Sequence, residues 1–187
     1  FTRELLFDIL AMPELADARL RLYDIDAERL DTARLMAARV AEQLGAHPEI
    51  TTHTDLDSAV DGADFVINAV AVGGHAATLT DFEVPARFGL RQTIGDTLGV
   101  GGIFRALRTF PVLDQIATAM GKGCPDAWLL NYTNPMSMNL SYLAAKHPAL
   151  NALGLCHSVY WTVNDMNDLL GLPLAGTHYE AAGVNHQ

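Results

Sequence analysis

The chain has 187 residues, half of them hydrophobic, and a net charge of −10 from 22 acidic and 12 basic side chains. The acidic balance without a basic run argues against a nucleic-acid partner, and no apolar run reaches the roughly 18 residues that a membrane span needs. The two cysteines, Cys124 and Cys156, are too few for a disulfide framework, so we expect reduced thiols in a cytoplasmic protein.

The first half of the chain alternates between helical and extended patterns. In chain order these patterns predict a helix at 1–12, a strand at 18–23, a helix at 27–45, a strand at 50–53, a short helix at 55–60 and a buried strand at 63–72. Such an alternation is typical of a parallel sheet with crossover helices. We therefore predict an α/β protein with a Rossmann-like parallel sheet.

Two features of this half suit a dinucleotide-binding unit. Asp24 follows a predicted strand, where a carboxylate can accept hydrogen bonds from ribose hydroxyls; the alternative is a cap for the next helix, a role we expect of Asp26. Gly73 and Gly74 follow a buried strand, where glycines let backbone N–H groups approach a phosphate or sugar, although glycine pairs are also common in ordinary turns. The Gly-rich turn that should precede the first helix is absent, so the fingerprint is only half present.

The middle of the chain changes pattern. In order, it predicts a connection at 84–91, a Gly-rich loop at 93–102 and a long helix at 103–120. We interpret Asp96 as part of a loop with a helix cap, and Arg105 and Arg108 as members of a solvated helix face. The alternative places Asp96 or Arg105 near a hydroxyl or phosphate of a substrate.

Two apolar runs in the second half end in chemically active side chains. The patterns here predict strands at 127–130 and 150–155, helices at 139–146 and 159–170, and a last strand at 179–186. Asn131 and Pro135 end the first of these strands, and Cys156 and His157 follow the second. Because ligands of open parallel sheets bind at the carboxyl ends of strands, we expect a polar substrate and a metal ion there.

Cys156 and His186 are the candidate metal ligands. Thiolate and imidazole suit zinc, iron or manganese, and a site with only two protein ligands leaves positions for substrate and water. The alternatives are a small buried core cysteine and a hydrogen-bonded core histidine. His157 could be a proton donor or merely a neighbour.

Four motifs, in order along nearly the whole chain, resemble glycoside hydrolase family 4, the NAD- and manganese-dependent group that includes melibiase-type α-galactosidases. They are Asp-Thr-Leu-Gly-Val-Gly-Gly (96–102), Asn-Tyr-Thr-Asn-Pro-Met (131–136), Gly-Leu-Cys-His-Ser (154–158) and Ala-Gly-Val-Asn-His (182–186). That family shares its nucleotide-binding core with lactate and malate dehydrogenases. The resemblance implies the same core here, continued by a C-terminal α+β domain outside this chain.

The resemblance also implies roles for the candidate residues. Cys156 and His186 would bind a divalent metal, Mn²⁺, with sugar hydroxyls completing its shell. Asn134 would bind the sugar near the nicotinamide, Asp96 would contact the sugar or the metal's water, and His157 would assist the leaving group. The residues that would line the NAD site are Asp24, Asn68, Val72, Gly73, Gly74 and Asn131.

The reaction implied by the resemblance is hydrolysis of an α-galactoside by a redox route, an exception to the two-carboxylate mechanism of most glycosidases. NAD⁺ would oxidise carbon 3 of the sugar, the metal would assist elimination of the aglycone, and water addition and return of the hydride would complete the cycle. The family's proposed base, a tyrosine, would lie beyond Gln187. α-Glucosides and α-linked uronic acids are rival substrates.

Two other functions stay open at this point. An NAD-dependent 2-hydroxy acid dehydrogenase of the lactate/malate type would need no metal and would pair its acid–base histidine with an aspartate. A non-catalytic remnant would bind a nucleotide or sugar without turnover.

We expect residues 1–130 to form the NAD-binding domain, without its first strand and Gly-rich loop, and residues 131–187 to begin the catalytic and metal-binding region. Both ends look cut, because the first residues already have helical spacing and the last ones end within a motif. For partners we expect a small carbohydrate substrate, no nucleic acid, no membrane, and a homo-oligomer, either a dimer or a tetramer.

Overall fold

A computed structural model describes residues 2–183, which divide into two compact units. The first unit contains the chain up to residue 63 together with residues 122–124, and the second contains residues 64–121 and the chain from residue 125 onwards.

The first unit has two parallel strands and three helices within its described part. In chain order these are α1 (Thr2–Ala11), a 3₁₀ turn (Pro13–Leu15), β1 (Arg19–Tyr23), α2 (Ala27–Leu44), β2 (Glu49–His53) and α3 (Leu56–Val60). The two strands pair in register from Arg19 opposite Glu49 to Tyr23 opposite His53. Leu10, Val40, Ala41 and Ala46 form the buried apolar cluster of this unit.

Helix α2 begins and ends as its sequence predicts. The Asp26 side chain accepts hydrogen bonds from the N–H groups of Glu28 and Arg29, which confirms Asp26 as the N-cap. Gly45 ends the helix with φ 64°, a left-handed conformation that glycine adopts without steric cost.

The second unit has a three-stranded parallel sheet in the order β3-β4-β5. Its elements are β3 (Phe65–Asn68), α4 (Gly74–Ala86), α5 (Gly99–Gly123), β4 (Trp128–Asn131), α6 (Met136–Lys146), β5 (Asn151–Gly154) and α7 (Ser158–Leu170). Asn68, Asn131 and Gly154 lie side by side in the register, so the carboxyl ends of the three strands coincide. Leu129, at the centre of β4, is completely buried.

These parallel strands and their crossover helices confirm the predicted α/β, Rossmann-like fold class. The boundary between residues 130 and 131 that we proposed for two domains stays a prediction. Within residues 2–183, no helix is both long and apolar enough to cross a membrane.

Some predicted elements are wrong in position or type. Helix α4 extends into residues that we had assigned to a connection. The sequence did not reveal this helix because its apolar residues follow no clear helical period and Pro85 lies in its last turn. The strand predicted to be buried ends at Asn68 rather than at residue 72, and of its four residues Asn68 alone is buried. Helix α5 begins at Gly99 rather than at residue 103, and residues 179–183, the described part of the predicted last strand, form no strand.

Candidate active site

The ends of β3 and β4 are joined by a pair of buried asparagines. Asn68 donates a side-chain hydrogen bond of 2.8 Å to Asn131, and both residues are buried, with Asn131 completely so. The backbone continues this pairing, because Tyr132 N–H bonds to the Asn68 carbonyl and Leu155 N–H bonds to the Asn131 carbonyl. The ends of β3 and β4 are therefore held together by side chains as well as by the sheet, and the end of β5 is held to β4 by the backbone.

The loop after β4 is fixed by a second set of buried polar contacts. The Asn131 and Asn139 side chains each donate a 2.9 Å hydrogen bond to the Thr133 carbonyl. The Thr133 hydroxyl donates to the Val70 carbonyl at 3.1 Å, which ties this loop to the segment after β3. The loop leads into a cis peptide bond between Asn134 and Pro135.

Asn134 and Asp96 meet at the end of this loop. Asn134 Nδ2 donates a long hydrogen bond of 3.3 Å to Asp96 Oδ2, and the Thr97 hydroxyl donates to Asp96 Oδ1 at 3.1 Å. Both Asn134 and Asp96 are half-buried. The structure thus brings together two residues, 38 positions apart, that the resemblance assigns to the sugar. An amide beside a carboxylate offers both donors and acceptors to sugar hydroxyls.

Cys156 lies just after β5, the next strand along the sheet. Its half-buried Sγ is 3.0 Å from the Ser158 hydroxyl and 3.4 Å from the Ser158 backbone nitrogen, at the start of α7. Donors near the start of a helix favour a thiolate, the form in which cysteine binds metals. His157 is exposed and makes no side-chain capping bond to α7.

The second predicted metal ligand, His186, lies outside the described residues. Among residues 2–183, no cluster of at least three His, Cys, Asp or Glu side chains could hold a metal ion. Of the two predicted ligands, Cys156 lies within the described residues, and its role as a metal ligand stays a prediction.

The turn after β3, in which we predicted a phosphate or sugar site, leads directly into α4. Gly74 N–H bonds to the Ala71 carbonyl at 3.1 Å, and Gly73 has φ 79° and ψ −5°, as the third residue of a type II turn requires. Helix α4 begins directly after the turn, so the unpaired N–H groups of its first turn face the same end. A Cβ atom at Gly74 would meet nothing within 4 Å, which leaves the backbone there open to a ligand.

Arg108 braces this turn, and its position corrects our interpretation of a solvated helix face. Its Nε donates to the Val72 carbonyl at 2.9 Å, and its two terminal nitrogens bond to the two oxygens of Asp81 at 3.0 and 2.7 Å. Asp81 is completely buried, and its hydrogen bonds raise the pKa of Arg108, which therefore stays charged. Sequence reasoning missed the partner because Asp81 is 27 residues away on α4.

Asp24, in the first unit, follows β1 as predicted. It accepts two hydrogen bonds from Arg29, at 2.7 and 3.1 Å, and one from the Asp26 backbone. The bonds from Arg29 are the main reason why the pKa of Asp24 is lowered. The carboxylate is ionised at neutral pH and can accept hydrogen bonds from a ribose.

Two residues of the site carried no role in the sequence analysis. Thr133 and Asn139 share the contacts that fix the Asn-Pro loop, and the buried Asn139 Oδ1 has no hydrogen-bond partner within residues 2–183. The signal that could have found Asn139 is an amide placed on the buried side of a helix that is otherwise apolar there.

The parallel α/β sheet with its crossover helices defines a Rossmann-like class of fold. The structure of lactate dehydrogenase from Cryptosporidium parvum shares it, with a TM-score of 0.64 and 14% identity over 92% of this chain and 47% of that one. The model of family 4 glycosyl hydrolases matches residues 1–172, and the chain belongs to that family.

Several relatives resemble the chain at the level of sequence. An α-galactosidase from Bacillus subtilis is 43% identical over the whole chain, which covers 43% of that protein. An α-galacturonidase from Thermoanaerobacter italicus is 37% identical over 83% of the chain and 33% of its own length. The chain thus spans less than half the length of these relatives.

Solved structures of related proteins share the fold. The Bacillus subtilis protein LplD superposes with a TM-score of 0.81 at 29% identity, over 92% of this chain and 40% of that one. A 6-phospho-α-glucosidase from gut microorganisms, solved in complex with NAD and Mn²⁺, gives a TM-score of 0.78 at 22% identity, over 90% of this chain and 38% of that one.

Proposed function

We propose that the full-length protein is an NAD⁺- and Mn²⁺-dependent α-glycosidase that hydrolyses α-galactosides. The observation that carries the proposal is the common edge at which three parallel strands end, with the Asn134–Asp96 pair after β4 and Cys156 after β5. The 43% identity to an α-galactosidase supports the substrate class. The 37% identity to an α-galacturonidase makes an α-linked uronide the rival substrate.

The glycine turn supports the proposed cofactor. Gly73 and Gly74 lie in the turn before α4, where the Gly73 N–H group suits a phosphate or sugar oxygen of a dinucleotide and the Gly74 N–H closes the turn by bonding to the Ala71 carbonyl. In this proposal Val72 contributes its backbone to the same turn, and Asp24 in the first unit binds the ribose. Asn68 and Asn131 line the same site in this proposal, and the bond between their side chains holds the ends of β3 and β4 together there. NAD⁺, when bound, supplies a reversible acceptor for hydride.

The thiol supports the proposed metal. Cys156 Sγ accepts a hydrogen bond from the Ser158 backbone N–H and lies 3.0 Å from the Ser158 hydroxyl, and we propose it as a metal ligand together with His186. A divalent cation in an open site of this kind supplies positive charge to the oxygens of the sugar. The related 6-phospho-α-glucosidase structure, which contains NAD and Mn²⁺, supports the same pair of cofactors here.

The remaining roles belong to side chains that the structure describes. Asn134 and Asp96 orient the sugar through its hydroxyls, since their amide and carboxylate provide donors and acceptors together. Exposed His157, between Cys156 and α7, donates a proton to the oxygen of the leaving group.

The dehydrogenase alternative requires a histidine–aspartate pair at the strand ends. The structure pairs His147 with Asp114 at 2.8 Å, but His147 ends α6 and lies shortly before β5 begins. This pair therefore lies towards the amino end of β5, at the edge opposite to Asn134 and Cys156. The likeness to lactate dehydrogenase concerns the fold alone.

Omission of single components from an assay tests the proposal. The full-length protein should release nitrophenol from a nitrophenyl α-galactoside only when NAD⁺, Mn²⁺ and a reductant are all present. Parallel assays with the α-glucoside and the α-galacturonide rank the rival sugars. Net reduction of NAD⁺ by a 2-hydroxy acid would instead establish the dehydrogenase, and NAD⁺ binding without any turnover would establish the remnant.

We also propose that the protein is cytoplasmic and forms a homo-oligomer. A reducing compartment suits a metal-binding thiol, because an oxidised sulfur is a poor ligand. Large apolar side chains are exposed on α7, with Trp161 at 53% and Leu169 at 87%, and such surfaces favour association. Light scattering on the full-length protein should give the mass of a dimer or tetramer, and a monomer mass would contradict this part of the proposal.

A further inference from the structure

The peptide between Val72 and Gly73 is held from one side by a charged clamp. Arg108 is bonded to both oxygens of buried Asp81, so its guanidinium plane is fixed, and its remaining Nε donor points at the Val72 carbonyl. Burial makes this ion pair hard to rearrange, since the Asp81 side chain is only 1% exposed and that of Arg108 only 25%. The clamp thus fixes where the Val72 carbonyl points.

The direction of that carbonyl determines the direction of the next N–H group. In a trans peptide the C=O and N–H bonds point in opposite directions. Because Arg108 holds the Val72 carbonyl, the N–H of Gly73 faces away from the guanidinium. Type I and type II turns differ in the orientation of this central peptide, and the Gly73 angles of φ 79° and ψ −5° are those of type II.

The surroundings of Gly73 show that the clamp and the turn fit closely. A Cβ atom at Gly73 would lie 2.6 Å from the Ala77 Cβ and 3.3 Å from the Arg108 Cδ. The start of α5 packs closely against Asp81. A Cβ atom at Gly101 would lie only 2.7 Å from the Asp81 backbone carbonyl oxygen, so the two helices approach each other there. Helices α4 and α5 thus place the ion pair directly behind the glycine turn.

We propose that Arg108, oriented by Asp81, is a positioning residue that presents the Gly73 N–H to an oxygen of the bound dinucleotide. The inference rests on the proposed NAD⁺ dependence and adds to it a residue outside the cofactor contacts. Arg108 acts through the backbone of the turn, so its loss weakens cofactor binding and leaves the sugar site in place.

The variant Arg108→Lys tests this role in the full-length protein. A lysine keeps the positive charge beside Asp81, but its single ammonium cannot reproduce the planar fork that spans the carboxylate and the Val72 carbonyl. Calorimetric titration should show a Kd for NAD⁺ that is about tenfold higher than in the wild type, as expected for one lost hydrogen bond in a pre-organised site. The KM for NAD⁺ should rise in parallel, while kcat at saturating NAD⁺ and the KM for the glycoside stay unchanged.

Arg34→Lys is the matched control, because Arg34 also pairs with an aspartate, Asp31, but on the exposed surface of α2. It should leave the affinity for NAD⁺ unchanged. Should Arg108→Lys fail to fold, Asp81→Asn keeps the side-chain shape, removes the charge that orients the guanidinium, and should raise the Kd about threefold.

The outcomes separate this inference from the proposed function. A wild-type protein that binds no NAD⁺ would refute both. If the wild type binds NAD⁺ and the Arg108→Lys variant binds it equally well, the positioning role is refuted but the proposed function is not. A lower kcat in Arg108→Lys with an unchanged Kd for NAD⁺ would also refute the positioning role.

Discussion

Asp96 lies between two hydrogen-bond donors, the amide of Asn134 and the hydroxyl of Thr97, at the edge where the strands end. Each donor occupies a different carboxylate oxygen, so the side chain is oriented before any substrate arrives. The bond to Asn134 is long at 3.3 Å, which allows an incoming sugar hydroxyl to replace it. Asp96 and Asn134, the two residues predicted to contact the sugar, therefore lie next to each other.

The variant Asp96→Asn should separate catalysis from folding. It keeps the shape of the side chain but removes the charge that can orient or polarise a sugar hydroxyl. In the full-length protein we expect kcat/KM for a nitrophenyl α-galactoside to fall about 100-fold, with a change in the free energy of unfolding within about 1 kcal/mol. Asp57→Asn, at an exposed carboxylate of α3, is the control and should match the wild type. Unchanged turnover in Asp96→Asn would remove Asp96 from the site.

The variant Cys156→Ser tests the metal ligand. A serine hydroxyl stays protonated at neutral pH and is a poor ligand, so binding of Mn²⁺ should weaken at least about tenfold while NAD⁺ binding persists. Cys124→Ala is the control, because Cys124 is buried and burial raises its pKa, as expected of an inert thiol. Equal Mn²⁺ affinity in Cys156→Ser and the wild type would show that the thiol is not a ligand.

At the residue scale, sequence patterns indicated the polar side chains that follow apolar runs. They did not indicate side chains that meet only when distant elements pack together. Asn131, Asn134 and Cys156 follow short apolar runs, so the rule that ligands bind at strand ends located them. The partnership of Arg108 with Asp81 depends on how two helices pack, which no local pattern encodes.

At the scale of elements, the Asn68–Asn131 pair joins β3 to β4 at the last register pair of the two strands. Replacing Asn131 by alanine should cost about 3 kcal/mol of unfolding free energy, because it leaves a buried cavity and the Asn68 amide without its partner. Asn151→Ala on β5 removes a half-buried amide bonded to the Asp126 carbonyl and should cost less than about 1 kcal/mol. Urea unfolding measures both, and equal losses would contradict a special role for the buried pair.

Helices α5 and α6 are joined by a polar cluster around Asp114. This carboxylate bonds to His147 at 2.8 Å and to the Tyr142 hydroxyl at 2.7 Å, while Phe110 stacks on the Tyr142 ring. The hydrogen bonds from His147 and Tyr142 lower the pKa of Asp114. The cluster therefore stabilises the folded state only while Asp114 is ionised.

The pH dependence of stability follows from the sign of this shift. Because the folded pKa lies below the ordinary value of 3.8, the stabilisation is complete above that pH and is lost as the pH falls further. The destabilisation caused by Asp114→Asn, measured against the wild type by urea unfolding at about pH 5, should shrink below about pH 3.8. A difference that stays constant down to about pH 3 would contradict the contribution of the ionised carboxylate.

The elements that the sequence predicted best are those with clear caps and clear periods. Asp26 and Gly45 delimit α2 because their chemistry is local, and the short strands follow from apolar runs. Helix α4 was harder to predict, since Thr78 and Thr80 fold their hydroxyls back onto carbonyls one turn earlier and the apolar side chains form no continuous stripe. Its helical state depends on packing around Asp81 and Pro85, which are both buried.

At the scale of the whole molecule, the chain spans less than half the length of its relatives, so the activity has to be measured on the full-length protein. The described units contain a Rossmann-like fold, a glycine turn braced by Arg108, and the residues Asp96, Asn134 and Cys156. We propose that these groups serve a redox route to hydrolysis, in which the sugar loses and regains hydrogen at carbon 2.

Hydrolysis in heavy water tests that claim most directly. With NAD⁺ and Mn²⁺ present, the full-length protein should release galactose that carries deuterium at carbon 2, with no net formation of NADH. Galactose without deuterium at carbon 2, released at the same rate after NAD⁺ is removed, would contradict the redox route.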